Sequence, residues 1–388
     1  MSVFNTPRPF RLLATTALTA TLFVACADDE ATETASTDPE DVVAAEISID
    51  PETAGDLPSA ALADTLGTFE GEVSALTIWQ HPTASFQSAV LAANGTAGLF
   101  LIPIDGTTPS FTEGSFTGGL DLTYTPAGNL VAAYDGALEA IQLFTISPAD
   151  RAIAPVTSVA VEGGAKALCF VGTALFRIND EGDIFRHDIA VGDDGLAVSE
   201  TAITGGVSAL ACDGTDTELY VLRQRGLLSK LVVSEDDTSA EALANPAPGA
   251  TSIAAVMTEG GDPALLFGLG DGSMQLEERP FTLRGFAAET DTVEIAHIAA
   301  AGGNVGGVYR GGLVSVLGED GSLGLLPWFG VTNAVGLDIP TVSLQGETAG
   351  VSTELFSTRR EITGDVTNTP VPPALDLPTA PPDAEPAE

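Results

Sequence analysis

Between residues 67 and 340 the apolar positions fall into short runs and alternations, with no 3.6-residue stripe. Leu99-Phe100-Leu101-Ile102, Leu219-Tyr220-Val221-Leu222 and residues 227–233 are each bounded by Gly, Asp or Pro, which is the signature of strands. The pattern predicts an all-β domain. A longer period lies above it. Segments 74–106, 118–147, 163–191, 205–233, 249–279 and 293–321 share a glycine-rich or equivalent start followed by three strands, and recur at a spacing of roughly 43 residues, the length of a four-stranded propeller blade. Six copies predict a six-bladed β-propeller. Asp105-Gly106, Asp135-Gly136, Asp213-Gly214, Asp271-Gly272 and Asp320-Gly321 are expected to supply the positive-φ positions of its hairpins. Each is also an oxygen-ligand candidate for Ca²⁺, with the turn reading favoured.

Outside this domain the pattern changes twice. Residues 26–66 are rich in Asp, Glu, Ala and Thr, with no aromatic side chain, and are expected to form an acidic disordered spacer. Residues 341–388 form an acidic tail that gathers Pro370, Pro372, Pro373, Pro378, Pro381, Pro382 and Pro386; so much proline favours extended, semi-stiff backbone and no core.

Residues 1–25 read as a secretion signal. Arg8 and Arg11 precede an uncharged stretch from Leu12 to Ala25, the positive-then-apolar order of such segments. At roughly 14 residues it is short for a membrane span. It ends Leu22-Phe23-Val24-Ala25-Cys26, which resembles the lipobox of bacterial lipoproteins. The resemblance implies cleavage before Cys26, a lipid on that cysteine, and anchoring in the cell envelope. Ala27, where an aspartate would favour the inner membrane, implies the outer membrane.

Charge narrows the partners. The chain carries 14 basic and 54 acidic side chains; loss of Arg8 and Arg11 with the signal leaves 12 against 54, a formal −42. No Lys or Arg occurs between Arg11 and Arg151, so nucleic acid is excluded as a partner, and contact with a membrane must come through the lipid on Cys26. With 44% hydrophobic residues the chain can still bury a core. Once Cys26 is lipidated, Cys169 and Cys212 remain, either bridged in an oxidising periplasm or, as the favoured reading, two buried thiols.

The first repeat carries Ile78-Trp79-Gln80-His81-Pro82, then Ser88-Ala89-Val90-Leu91, then Gly98-Leu99. Gly119-Leu120-Asp121-Leu122, Asn179-Asp180-Glu181-Gly182 and Leu326-Pro327-Trp328 follow in order. Together these resemble the β-propeller phytases over roughly residues 70 to 335. The resemblance implies Ca²⁺-dependent hydrolysis of inositol phosphates, with carboxylates holding the metals and basic side chains holding the phosphates. Carried over by position, the family's acidic pair falls on Ser74 and Ala75, its paired lysines on Gly95 and Thr96, its arginine on Thr123, a lysine on Glu181 and a glutamate on Ser208. Of the metal-side acids only Asp121 and Asp180 remain, and no phosphate-binding residue is left.

His187 and His297 lack metal-ligand spacing, Lys166 lacks the Gly-Lys-Ser/Thr ending of a phosphate loop, and Trp79, His81 and Trp328 are expected in the core. The reading is therefore a phytase-like propeller emptied at its phosphate positions. It predicts a non-catalytic binding or scaffolding module with a protein or small-molecule ligand at the axial face. The alternative is a Ca²⁺-dependent phytase of the 3-phytase type, or a related phosphomonoesterase with an altered site.

Overall fold

In the computed structural model the described residues are 57–343, apart from 126–127, 193–194, 205–207, 234–237, 244–246 and 286–293. Cys26, the signal segment and the tail from residue 344 onward lie outside them. The described strands form six sheets; in four of them the strands follow in order of sequence from the axis outward, and in the other two an early strand is added at the outer edge. The innermost strands are Val73–Trp79, Phe116–Thr125, Ala167–Val171, Ala209–Gly214, Ala250–Met257 and Ile295–Ala301, and define blades 1 to 6. Each packs on the next, and the sixth packs on the first, closing a ring. The chain is a six-bladed β-propeller.

Why the inner strands read as continuous apolar runs follows from this ring. A strand with a blade on either side buries both faces, so its period-2 alternation chooses between neighbours and not between core and solvent. Leu168 and Phe170 pack with Leu130, Tyr134 and Ile141 of blade 2. Between them, Cys169 and its neighbours Ala167 and Val171 pack with Ala209, Leu219 and Val221 of blade 4. The interface between blades 1 and 2 is the most aromatic of this kind: Trp79, Phe116 and Phe144 are fully buried together. Trimming one such ring to alanine costs about 3–5 kcal/mol.

Two elements close the ring from outside the repeats. Asp64–Thr68 is the outer strand of blade 6, antiparallel to Ser322–Pro327, and Ser59–Ala61 adds a parallel fifth strand to blade 5. Both begin ahead of residue 67, so the structured domain reaches into the segment expected to be spacer. An edge strand needs only backbone pairing and one inward side chain, here Ala60 at 2% exposure, which leaves almost no hydrophobic pattern. The all-β expectation also meets one exception, a helix at Trp328–Ala334. Bounded by Pro327 and by Gly336 at φ +67°, it is too short to show a helical period.

Three Asp-Gly pairs make the expected turns, with Gly106, Gly272 and Gly321 at φ +73°, +84° and +80°. Two do not. In the turn after Asp135 the positive φ falls on Glu139 at +49° and not on Gly136. Asp213-Gly214 ends an inner strand, where a Cβ at Gly214 would meet the Phe170 carbonyl oxygen.

Candidate functional site: the axial channel

The six inner strands surround a central channel of about 130 Å³, lined by residues of every blade. Its polar lining is Gln80, Thr77, Thr123, Tyr124, Thr215 and the acids Asp121, Asp213 and Asp216, and among the described residues no Lys, Arg or His lines it. The polar lining comes from blades 1, 2 and 4, while the inner strands of blades 3, 5 and 6 present apolar residues and glycine to the channel. Sequence reasoning found one of these carboxylates, Asp121. Asp213 was hidden because an Asp-Gly pair reads as a hairpin; the apolar run of Val207-Ser208-Ala209-Leu210-Ala211-Cys212 leading straight into it was the available signal that the strand continues.

Asp121 and Asp213 are used in the same way. Asp121 Oδ2 accepts from the Phe170 backbone N–H at 2.6 Å, and Oδ1 faces Thr77 Oγ1 at 3.4 Å. Asp213 Oδ2 accepts from the Ala255 N–H at 2.7 Å and Oδ1 from its neighbour Gly214 at 2.8 Å. Each carboxylate therefore reaches from its own blade to the next inner strand. Burial, followed by the negative charge of Asp213, pushes the Asp121 carboxyl up to about 8, against the pull of its backbone donors. Burial likewise raises Asp213 to about 6. Farther along, Tyr124 Oη accepts from the Gln80 N–H at 2.7 Å and Thr123 Oγ1 donates to the Gly172 carbonyl at 2.6 Å. Burial drives the Tyr124 phenol well above its ordinary value.

One mouth of the channel carries a strap. After the helix, residues 337–343 run across blades 5, 6 and 1. Val342 N–H donates to Met257 O at 3.0 Å, Gly303 N–H to Thr341 Oγ1 at 2.9 Å, and Ser343 Oγ to Gln80 Oε1 at 2.5 Å. Met257 and Gln80 both line the channel.

The other sequence candidates sit elsewhere. Asp180 does not line the channel; it lies in a turn of blade 3, its N–H donating to Gly163 O at 2.9 Å and its carboxylate against Gly164, where a Cβ would collide with it. The structure therefore does not bring Asp121 and Asp180 into one site. Ser74, at an expected acid position, donates from Oγ to the Gly118 and Phe116 carbonyls at 2.9 and 3.0 Å. Thr96 bonds to Asn94 Oδ1 at 3.0 Å, and Ser208 holds φ +51° at the turn into blade 4. Trp79 is fully buried, His81 stacks edge-on to it at 5.4 Å, and Trp328 Nε1 donates to Ile339 O at 2.8 Å. All three serve the packing.

Cys169 and Cys212 are joined, with Cα atoms 6.1 Å apart, which corrects the expectation of two buried thiols. Their 43-residue separation is one repeat, so the ring sets them on adjacent inner strands. That relationship is invisible until the blades are aligned.

The residues do not fit the Ca²⁺ that the phytase resemblance implies. Calcium takes six to eight oxygen ligands. Among the described residues no three His, Cys, Asp or Glu side chains gather as a metal-binding group, and the Asp121 and Asp213 oxygens already accept hydrogen bonds from protein groups.

No family model and no curated protein matches the chain. Solved structures that resemble it include AofleA from Arthrobotrys oligospora, at 12% identity and TM-score 0.46 over 71% of this chain and 89% of that one. The β-propeller domain of Cps50 (Swd1) from Myceliophteria thermophila aligns at 11% identity and TM-score 0.44, over 69% of this chain and 98% of that one. The WD40 repeats of RRP9 align at 13% and 0.42, over 74% and 84%.

Proposed function

We propose that this protein is an exported, lipid-anchored β-propeller that works as a non-catalytic binding or scaffolding module in the cell envelope, on a framework resembling that of the β-propeller phytases. The observation that carries the reading is the use of Asp121. The acid that the resemblance assigns to metal binding accepts hydrogen bonds from Phe170 and Thr77 on the blades to either side, so the Asp121 side chain works as a link between blades, and burial raises its pKa. With no basic side chain among the described residues that line the channel, a substrate bearing several phosphates would meet acids, hydroxyls and one amide, with no cationic partner to offset its desolvation. A neutral or cationic ligand suits that lining better.

Two independent features support export. Residues 1–25 have the order of a secretion signal, with Cys26 as the lipid acceptor, and Cys169 and Cys212 form a disulfide, a bond that persists in oxidising compartments. The acidic spacer after Cys26 would let a strongly negative propeller stand clear of an anionic bilayer.

The test is direct. The purified mature protein, given excess Ca²⁺ and phytate, is expected to release no phosphate; release that is abolished by Asp121→Ala would establish the phosphohydrolase reading instead. Fatty-acid labelling in a bacterial host is expected to mark the chain and to be lost in Cys26→Ser. Labelling that survives that change would overturn the anchor.

A further inference from the structure

A second cavity, of about 380 Å³, opens where the inner strands of blades 5, 6 and 1 begin. That volume lies within the range of small-molecule sites. It shares no lining residue with the axial channel. Its walls combine four glycines with the apolar Val73, Ile295, Ala296 and Leu317, and the side chains that give it chemistry are Glu72, Thr251, His297 and Glu319. Among the described residues no Lys, Arg, Asn, Gln, Phe, Tyr or Trp lines it.

What these side chains offer is one-sided. Glu72 and Glu319 are exposed at the cavity, where a carboxylate only accepts hydrogen bonds. The Thr251 hydroxyl hydrogen is directed to backbone carbonyls, those of Gly268 and Ile295 each 3.3 Å away, which leaves oxygen lone pairs. Burial pushes the His297 imidazole down to about 4, against an opposing hydrogen bond to the Val73 backbone. The ring is therefore neutral at ordinary pH, and with its single N–H engaged by the Val73 carbonyl its second nitrogen is an acceptor. β-Bulges interrupt all three inner strands where they meet the cavity, between Val73 and Ala75, between Ala250 and Ser252, and between Ile295 and His297. Bulges re-aim side chains and mark binding regions in many sheets. The cavity thus supplies two negative charges and several acceptors, without a side-chain donor to balance them.

We propose that this cavity binds a small organic ammonium ion carrying N–H donors, a primary diamine being the simplest that offers one ammonium to each of Glu72 and Glu319. The site is separate from the axial channel and stands or falls independently of its ligand. The net charge of the protein would raise the local concentration of such a cation and speed its arrival. The N–H donors decide binding in this cavity, because only they satisfy Thr251 and His297 as well as the carboxylates.

The mature protein would be titrated calorimetrically with putrescine in buffer near physiological salt, beside its fully N-methylated bis-quaternary analogue and 1,4-butanediol. One-to-one binding of putrescine is expected, weakened at least about tenfold in a Glu72→Gln/Glu319→Gln double variant, as loss of charge-assisted hydrogen bonds requires. Gly270→Phe is the second variant. Gly270 has open space beside it, its closest neighbours being Thr251 Cγ2 at 3.6 Å and Gly249 O at 3.8 Å, so a ring there would crowd the cavity while leaving every carboxylate in place, and binding should fall. Glu259→Gln, at the opposite ends of the blades, should change nothing. Equal affinity for the bis-quaternary ion, tighter binding of the diol, persistence in both cavity variants, or no heat with putrescine at millimolar concentration would each overturn the proposal.

Discussion

The hydroxyl of Ser74 lies 2.9 Å from the carbonyl oxygen of Gly118, 44 residues along the chain and one blade away. Thr251 stands in the same relation to Ile295, at 3.3 Å and again across 44 residues. Both hydroxyls belong to the residue that a β-bulge leaves unpaired near the start of an inner strand. The bulge turns that side chain out of its own sheet and toward the next. Asp121 and Asp213 complete a second set, reaching the Phe170 and Ala255 amides of blades 3 and 5. Propeller blades share no backbone ladder with their neighbours, and here side chain to backbone bonds and isolated backbone bonds such as Gly172 N–H to Thr215 O make the polar part of the joint.

Ser74→Ala is therefore expected to destabilise the protein by about 1 kcal/mol, the net worth of an ordinary intramolecular hydrogen bond. Urea unfolding at 25 °C would measure it. The longer contact of Thr251 predicts a smaller loss for Thr251→Val. A Ser74→Ala protein with an unchanged midpoint would show that the bulge position does not join the blades.

The ring was legible in the sequence because its repeat is carried by apolar runs and glycines spaced at one blade. What escaped was whatever depends on one blade meeting another. Asp213 looks like a turn residue until the Ala255 amide stands opposite it. For Cys169 and Cys212 the sequence leaves bridge and free thiols both open until adjacent inner strands are superposed. Ser59–Ala61 and Asp64–Thr68 left no pattern because edge strands are held by backbone bonds, which side-chain periodicity does not report. Asp121, which the resemblance assigns to metal binding, lines the channel, and what the sequence could not show was that both its oxygens face donors of the protein itself.

Titration of the channel acids sets a pH dependence whose sign is fixed. Asp121 has a folded pKa raised to about 8, far above the roughly 3.9 of an unfolded aspartate, so the folded state binds the extra proton. Its contribution to stability is present in full below pH about 4 and is lost as pH rises through about 8. Asp213, raised to about 6, adds to the loss in the lower part of that window. Asp121→Asn keeps an oxygen for the Phe170 amide without the charge. It should flatten the fall in melting temperature between pH 5 and 9 and be more stable than wild type at the alkaline end. An equally steep fall in Asp121→Asn would show that another group controls it.

The Cys169–Cys212 bridge closes a loop of 43 residues, for which loop-closure entropy predicts a stabilisation of about 4 kcal/mol, an upper figure given how often measured values fall below it. Replacing both cysteines by serine, or unfolding in the presence of a reductant, should lower the urea midpoint accordingly, and the two treatments should agree. Cys212 lines the channel while Cys169 is buried at 2% exposure. The bridge should therefore yield slowly to a bulky thiol in the native protein and quickly once urea opens the ring.

The strap over the channel mouth makes the final case. Residues 337–343 are tied to blade 5 through Glu259 and Met257, to blade 6 through Gly303, and to blade 1 through Gln80. They bridge the seam where the last repeat meets the first, as the strand Asp64–Thr68 does at the rim. Thr341 is the central tie, donating to Gly311 O at 2.6 Å while accepting from the Gly303 N–H. Thr341→Val removes both bonds with little change in shape and should cost about 1–2 kcal/mol, because the two backbone groups lose their partner. Truncation after Gly336 should cost more and leave a local signature in hydrogen exchange. The amides of Glu259 and Gly303, which donate to the strap, should lose protection while those of the inner strands of blades 2 and 3 keep theirs. Loss of protection around the whole ring would mean that the strap is part of the global fold, and unchanged exchange at Glu259 and Gly303 would mean that it does not hold the seam in solution.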